Sequence, residues 1–205
     1  MNVQAIVAHP RSDSFCHALF ERAVATLLCA GHEITIHDLY AEGFDPVLRA
    51  EESYIAGESI ERAFSKSTDR TVALHREEVM SADGLLIAHP NWWGKPPAIL
   101  AGWLDRVLVP GVAYRLASAE GKPDGLLAIG AALVLNTSDT PPEREQSVLG
   151  DPLQLIWGQC VLPYCGVQRV ERRMFGPVAS SHAALRRDWL EEVKAVTGSC
   201  FGSAG

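Results

Sequence analysis

The sequence has no apolar run approaching the ~18 residues that a membrane-spanning helix requires, and no basic start followed by a long apolar stretch of the kind that exports a chain. A soluble chain with neither membrane span nor leader is expected. Basic excess is also missing: 18 Lys and Arg stand against 25 Asp and Glu, a formal net charge of −7. Nothing basic clusters into a nucleic-acid footprint, so no nucleic-acid partner is expected, and the acidic balance favours solubility. The cysteines are Cys16, Cys29, Cys160, Cys165 and Cys200, an odd number with no C-x-x-C pair. That argues against a disulfide framework and for a reducing compartment, the cytoplasm. Read plainly, they are small buried hydrophobes. Several chemical signatures are absent as well. Without G-x-x-x-x-G-K a nucleoside triphosphatase is excluded, and without G-x-G-x-x-G after the first strand the dinucleotide fingerprint is missing. There is no G-x-S-x-G nucleophile elbow. The seven histidines, His9, His17, His32, His37, His75, His89 and His182, show neither H-E-x-x-H nor Cys/His ligand spacing, so no metal site is expected.

What remains is an ordinary globular composition, 47% apolar and 21% charged over 205 residues. That length is enough for one well-buried domain and tight for two, and without linker, repeat or low-complexity tract a single domain over 1–205 is expected. Val3 to Ala8 is a short apolar run without alternation, as in a strand buried on both faces, and it closes at His9-Pro10. Phe15 to Ala30 carries Leu19, Ala23 and Leu27 at helical spacing, with Gly31 where a left-handed cap is wanted. Further strands are expected over Glu33 to Leu39, Gly84 to Ala88 (closed by His89-Pro90), Ala131 to Leu135 and Val167 to Arg172. Helices are expected over Thr71 to Met80, Pro97 to Val107, Asp151 to Cys165 and Ser181 to Val196, with an irregular stretch near 40 to 70 holding one short helix and a mobile portion. Strands alternating with helices at this rhythm predict a parallel sheet wrapped by helices. The expected fold class is α/β, a three-layer αβα sandwich with a five-stranded parallel sheet of order 2-1-3-4-5.

In such a sheet ligands bind beyond the carboxyl ends of the strands, at the switch point. Three loops should meet there. The first, Arg11-Ser12-Asp13-Ser14-Phe15, leads into a helix N-terminus whose free N–H groups and dipole attract an anion such as a phosphate. The plainer alternative is that Ser12, Asp13 and Ser14 only cap the helix. The second begins Pro90-Asn91-Trp92-Trp93-Gly94. Two adjacent tryptophans among Pro and Gly make poor core residues but can wall a flat ligand; the alternative is an aromatic plug beneath the helix. The third is Asn136-Thr137-Ser138-Asp139. His89, ending a buried strand, reads as a satisfied structural histidine, although it stands at a strand exit, and Arg144 between Glu143 and Glu145 reads as a surface charge.

The second segment resembles the region after the third strand of the NAD(P)H:quinone oxidoreductase family, which includes DT-diaphorase and the bacterial modulator-of-drug-activity and potassium-efflux ancillary reductases. Matching pieces are Pro90, Trp93, Pro97-Ala98-Ile99-Leu100, Gly102-Trp103, Asp105-Arg106-Val107 and Gly111-Val112-Ala113-Tyr114. His9, Ser14-Phe15, Asp38-Leu39-Tyr40 and Tyr164-Cys165-Gly166 match more weakly. The resemblance implies a flavodoxin-like enzyme that passes hydride from NAD(P)H through FAD, with FMN as the other choice, to a quinone or similar small-molecule electron acceptor. It implies that His9, Ser12, Ser14, Phe15 and Cys16 hold the flavin phosphate, and that Pro90, Asn91, Trp92, Trp93 and Gly94 carry the ring. Asn136, Thr137, Ser138 and Asp139 would close over its pyrimidine edge. Tyr114 and Tyr164, with Trp93, would line the substrate pocket, Tyr114 reaching a partner's flavin in a homodimer. The family's Tyr and His after the fourth strand are absent, since 140–151 contains neither. Asn136 and Thr137 are therefore expected to take the catalytic, charge-stabilising role, with Tyr114 beside the reacting groups. Two other readings stay open: a flavin-loaded regulatory subunit of another protein such as a transporter, and an electron carrier.

Overall fold

The computed structural model describes residues 1–55, 69–115 and 123–202. Five parallel strands form the sheet: β1 (Asn2–Val7), β2 (Glu33–Asp38), β3 (Gly84–Pro90), β6 (Ala131–Thr137) and β7 (Arg169–Phe175), in the order β2-β1-β3-β6-β7. Counting these five alone, the order is the expected 2-1-3-4-5. A separate two-stranded ribbon joins β4 (Tyr114–Arg115) to β5 (Asp124–Gly125). The helices are α1 (Phe15–Cys29), α2 (Arg70–Ser81), α3 (Ala98–Val107), α4 (Pro142–Ser147), α5 and α6 (Ala183–Phe201). Helix α5 opens as Pro152–Gln154, widens into a π-helix over Leu155–Val161 and ends as Leu162–Tyr164. The part of the irregular 40–70 stretch that falls on 56–68 lies outside the described residues.

Burial follows strand position. Every residue of β3 and β6 is buried, as both faces of central parallel strands require, whereas the edge strands β2 and β7 are half exposed. The two faces carry separate cores. One gathers Ile6, Leu85, Ile87, Ala132 and Val134 under α2, α3 and α5, around Trp103 and Trp157. The other gathers Val3, Ala5, Val7, Leu86, Leu133 and Leu135 under α1 and α6. Each fully buried Leu or Ile contributes roughly 1.5–3 kcal/mol, and alternate residues of one strand serve opposite faces.

The helix boundaries have local causes. Ala30 caps α1 and Gly31 follows at φ +84°, the left-handed position after a helix end. Asp69 caps α2, accepting from the N–H groups of Thr71 and Val72. The connection after β2 is irregular but tied down. Arg106 of α3 is buried; its guanidinium binds Glu52 at 2.8 and 3.0 Å and donates to Asp45 O at 2.7 Å. Gly102 lets this loop pass against α3, since a Cβ there would lie 2.1 Å from Pro46 O. None of the five cysteines is bonded to another, and among the described residues no helix is long and apolar enough to cross a membrane.

Candidate functional site

The carboxyl ends of β1, β3 and β6 open into one cleft of about 510 Å³. From the first loop His9, Ser14, Phe15 and Cys16 line it, together with Arg11 and Asp13. Ser14 is the N-cap of α1, its Oγ accepting from His17 N–H at 3.3 Å. No acidic residue stands in the first turn, so the positive end of the α1 dipole is left for an external anion. His9 Nδ1 stands against the Arg11 backbone, 3.1 Å from its N–H and 3.2 Å from its carbonyl oxygen. Partial burial, then the nearby His17 charge, lower the pKa of His9 despite its contact with the Arg11 backbone. Cys16 is buried beside Thr137; burial pushes its thiol up to about 12, so it stays protonated and reaches the cleft as a neutral group. Ser12 does not line the cleft and points to solvent.

The second loop contributes Pro90, Asn91 and Trp92, the third Thr137, Ser138, Asp139 and Thr140. Trp92 leans on His9, ring centroids 5.9 Å apart. Trp93 and Gly94 do not line the cleft within the single chain. Both have positive φ, +61° and +70°, and Trp92 and Lys95 bond each other's backbones across them at 3.2 and 3.3 Å. Two consecutive positive φ values are what a type I′ turn requires. The turn throws Trp93 outward, 96% exposed.

The sheet also brought residues to the cleft that sequence reasoning missed. Arg186 of α6 lines it, held by Ser181 Oγ at 2.7 Å and Val178 O at 3.1 Å, with its guanidinium 5.7 Å over the Phe15 ring. An arginine in the last helix carries no motif; only the packing of α6 beside α1 on one face places it there.

Asn136 is a correction. Its side chain is fully buried and does not face the cleft. The cause is strand parity: Ala132 and Val134 point to the core under α5, so Asn136 does too, and Thr137 takes the opposite side. The same parity turns His89 away, so its place at a strand exit does not put it in the cleft. His89 Nδ1 donates to Pro90 O at 2.8 Å; its Nε2 accepts from Trp157 Nε1 and Asn136 Nδ2, each at 2.9 Å. Complete burial, and secondarily the Arg172 charge, push its pKa down to about 4, against the Pro90 contact. His89 is thus the satisfied structural histidine expected. Asn136 Oδ1 in turn accepts from Arg172 at 3.0 Å, and Arg172 pairs with Asp151 at 2.5 Å. Arg144 is exposed, as expected for a surface charge.

Tyr114 and Tyr164 meet each other, ring centroids 4.8 Å apart, but in a second cleft of about 500 Å³ with Leu48, Tyr54, Leu104 and Cys160. Within the single chain they do not border the first cleft.

A further titratable cluster lies at the β2 edge. His37 bridges Glu42 at 2.9 Å and Glu78 at 2.6 Å, and His75 Nε2 stands 3.2 Å from Glu42. His37, Glu42 and His75 lie close enough to share a cation. However, His75 Nδ1 accepts the Trp103 indole N–H at 2.8 Å, so the His75 proton sits on Nε2, where a metal would need the lone pair. The cluster is therefore a hydrogen-bond relay.

A family model for the flavodoxin-like fold matches residues 1–196. A Haemophilus influenzae protein described as an uncharacterized NAD(P)H oxidoreductase is 31% identical over 195 residues, spanning 93% of this chain and 91% of its own. NAD(P)H dehydrogenase (quinone) 1 of Rattus norvegicus is 28% identical over 200 residues, 91% of this chain and 72% of that protein. Among solved structures, an NAD(P)H:quinone oxidoreductase from Methanothermobacter marburgensis superposes with a TM-score of 0.81 at 27% identity, covering 96% of this chain and 95% of that one.

Proposed function

The chain belongs to the flavodoxin-like NAD(P)H:quinone oxidoreductase family, and from that membership we propose that it is a flavin-dependent NAD(P)H oxidoreductase acting on a quinone or similar small acceptor. The observation that carries the reading is the cleft itself, which joins a capped helix start, a cation and an aromatic wall at the carboxyl ends of β1, β3 and β6. These residues fit a flavin. A phosphate meets the α1 N-terminus, Ser14 and Arg186, and a flat ring meets Pro90, Asn91 and Trp92. A flavin bound there supplies the hydride-accepting chemistry between NAD(P)H and the acceptor.

The protein's own groups orient and exclude water. Of the Thr137–Asp139 turn, Ser138 N–H is already given to Phe175 O, and Ser138 Oγ holds Thr140 N–H. Asp139 N–H is the turn's unspent backbone donor among the described residues, and with the Thr137 side chain it is the group offered to the ring edge. Asn136 acts only from behind, through His89 and Arg172. A homodimer completes the pocket in this reading. Exposed Trp93, Val148, Leu149 and Leu155 sit on or beside the loops at the rim, and Tyr114 and Tyr164 lie off the chain's own cleft, where a partner's cleft could take them.

The test is a spectrum of the purified protein, mass spectrometry of what acid releases, and NAD(P)H oxidation with a quinone. Flavin bands and acceptor-dependent oxidation are expected, and the released mass distinguishes FAD from FMN. A colourless protein that takes up neither would refute the reading. Light scattering should give twice the 22.2 kDa chain mass; a fully active monomer would refute the dimer.

A further inference from the structure

Glu145 is 1% exposed. One carboxylate oxygen accepts from Asn91 Nδ2 at 2.9 Å, and the other has no hydrogen-bond partner. A buried, half-paired carboxylate destabilises a fold relative to an apolar residue of similar size. Packing alone gives no reason for an acid at this place; the nearby Arg172 charge balances it, and its hydrogen bond goes to Asn91.

Asn91 is fixed at three points. Its N–H donates to Thr137 O at 2.7 Å, its side-chain N–H₂ to Glu145, and its Oδ1 accepts from Gly94 N–H at 2.9 Å. The last bond braces, from outside, the I′ turn that Trp92 and Lys95 close and in which Trp93, a bulky residue, sits at φ +61°. A non-glycine residue held there is strained and persists only where its surroundings over-determine it. Gly94 N–H and Glu145 select the same orientation of the Asn91 amide, one through Oδ1 and the other through Nδ2; if the Glu145 acceptor is lost, the Gly94 bond is left to hold the side chain without it.

We propose that Glu145 is a positioning residue for the proposed flavin site: through Asn91 it holds the Trp92–Lys95 turn in the shape that sets Trp92 against the cleft and Trp93 outside it. This rests on reading the cleft as the flavin site, but the loop geometry can be tested separately.

Hydrogen exchange of the protein as purified reads the loop without reference to flavin. Glu145→Leu should raise exchange of the Gly94 amide at least tenfold, and Glu145→Gln, which retains an acceptor oxygen, should restore it to within about threefold of the parent. In parallel, added FMN and FAD should bind at least tenfold more weakly to E145L than to E145Q. Unchanged Gly94 protection in E145L overturns the positioning role, whatever happens to flavin. Loop protection lost with flavin affinity intact overturns the link to the site. If the parent itself binds neither FMN nor FAD, the functional reading fails, seen in a different measurement, and with it the link to a flavin. Should E145L not fold, the Asn91 side-chain amide of the parent decides by NMR: slowed exchange supports the pair, and exchange at the rate of a free amide overturns it.

Discussion

Gly94 carries two separable demands. Its φ is +70°, and a Cβ built on it would lie 2.7 Å from Pro152 Cγ, at the first turn of α5. Gly94→Ala therefore adds a left-handed penalty of about 1–2 kcal/mol to an overpacking cost of about 1–3 kcal/mol, because a proline ring at a helix start has little freedom to retreat. The sum is about 2–5 kcal/mol, and in a domain of this size ~3 kcal/mol lowers Tm by about 6–12 °C. Gly43 supplies the control: its φ is +63°, yet nothing stands within 4 Å of its Cβ position. Gly43→Ala should cost only the conformational share, about 1–2 kcal/mol. Urea denaturation of both variants measures the difference, and Pro152→Ala in the G94A background should recover the steric part, a coupling expected only between touching residues. If G94A costs no more than G43A, the loop and α5 are not in close contact and the reasoning fails. The same contact links the ring-bearing loop to α5, so G94A should also weaken flavin binding.

The remaining predictions concern buried charge. Burial lowers the His37 pKa, but Glu42 and Glu78 outweigh it and raise it, while the histidines, against burial, hold Glu42 down at about 2. The His37 contribution is then complete below its ordinary 6.5 and lost as pH rises through the folded value; that of Glu42 is complete above 4.5 and lost as pH falls through about 2. His37→Gln should cost of order 1 kcal/mol after solvent screening of the partly exposed carboxylates. In thermal melts the deficit should be greatest between about pH 4.5 and 6.5 and shrink toward pH 9; a deficit that grows with pH contradicts the assignment. His89, pushed down to about 4, stays neutral in the fold, so stability is lost as pH falls from 6.5 toward 4. Its NMR titration should show no step near 6.5, nor should the pH profile of NAD(P)H oxidation show one that His89→Gln removes. Arg106→Met removes the guanidinium paired with the buried Glu52 carboxylate, which keeps the Arg49 N–H, and should cost up to about 3–5 kcal/mol in urea titrations; a loss under 1 kcal/mol would mean that the loop after β2 is held by other contacts.

The layers and the parallel sheet were legible in the alternation of apolar runs and helical spacings, and five strands in so small a domain suited the order 2-1-3-4-5. Parallel strands buried on both faces must read as runs such as Val3–Ala8 and Gly84–Ala88, and connected helices must cover them. The alternation also located the three loops, because exit loops of adjacent parallel strands converge at one edge whatever their residues. Trp92-Trp93 stood out since tryptophans in a Pro/Gly loop have no core to enter. Which side chains face the cleft depended on packing that no local pattern records. Asn136 and Thr137 are neighbours in the sequence, and a period of two sends one to the core and the other to the cleft, a parity that loop residues at a strand end do not announce. Long-range partnerships were equally silent: Arg186 with the first loop, Glu145 with Asn91, Arg106 with Glu52, His37 with Glu78. Each joins elements distant along the chain, and a charged residue bears no local mark of the burial that gives it a partner.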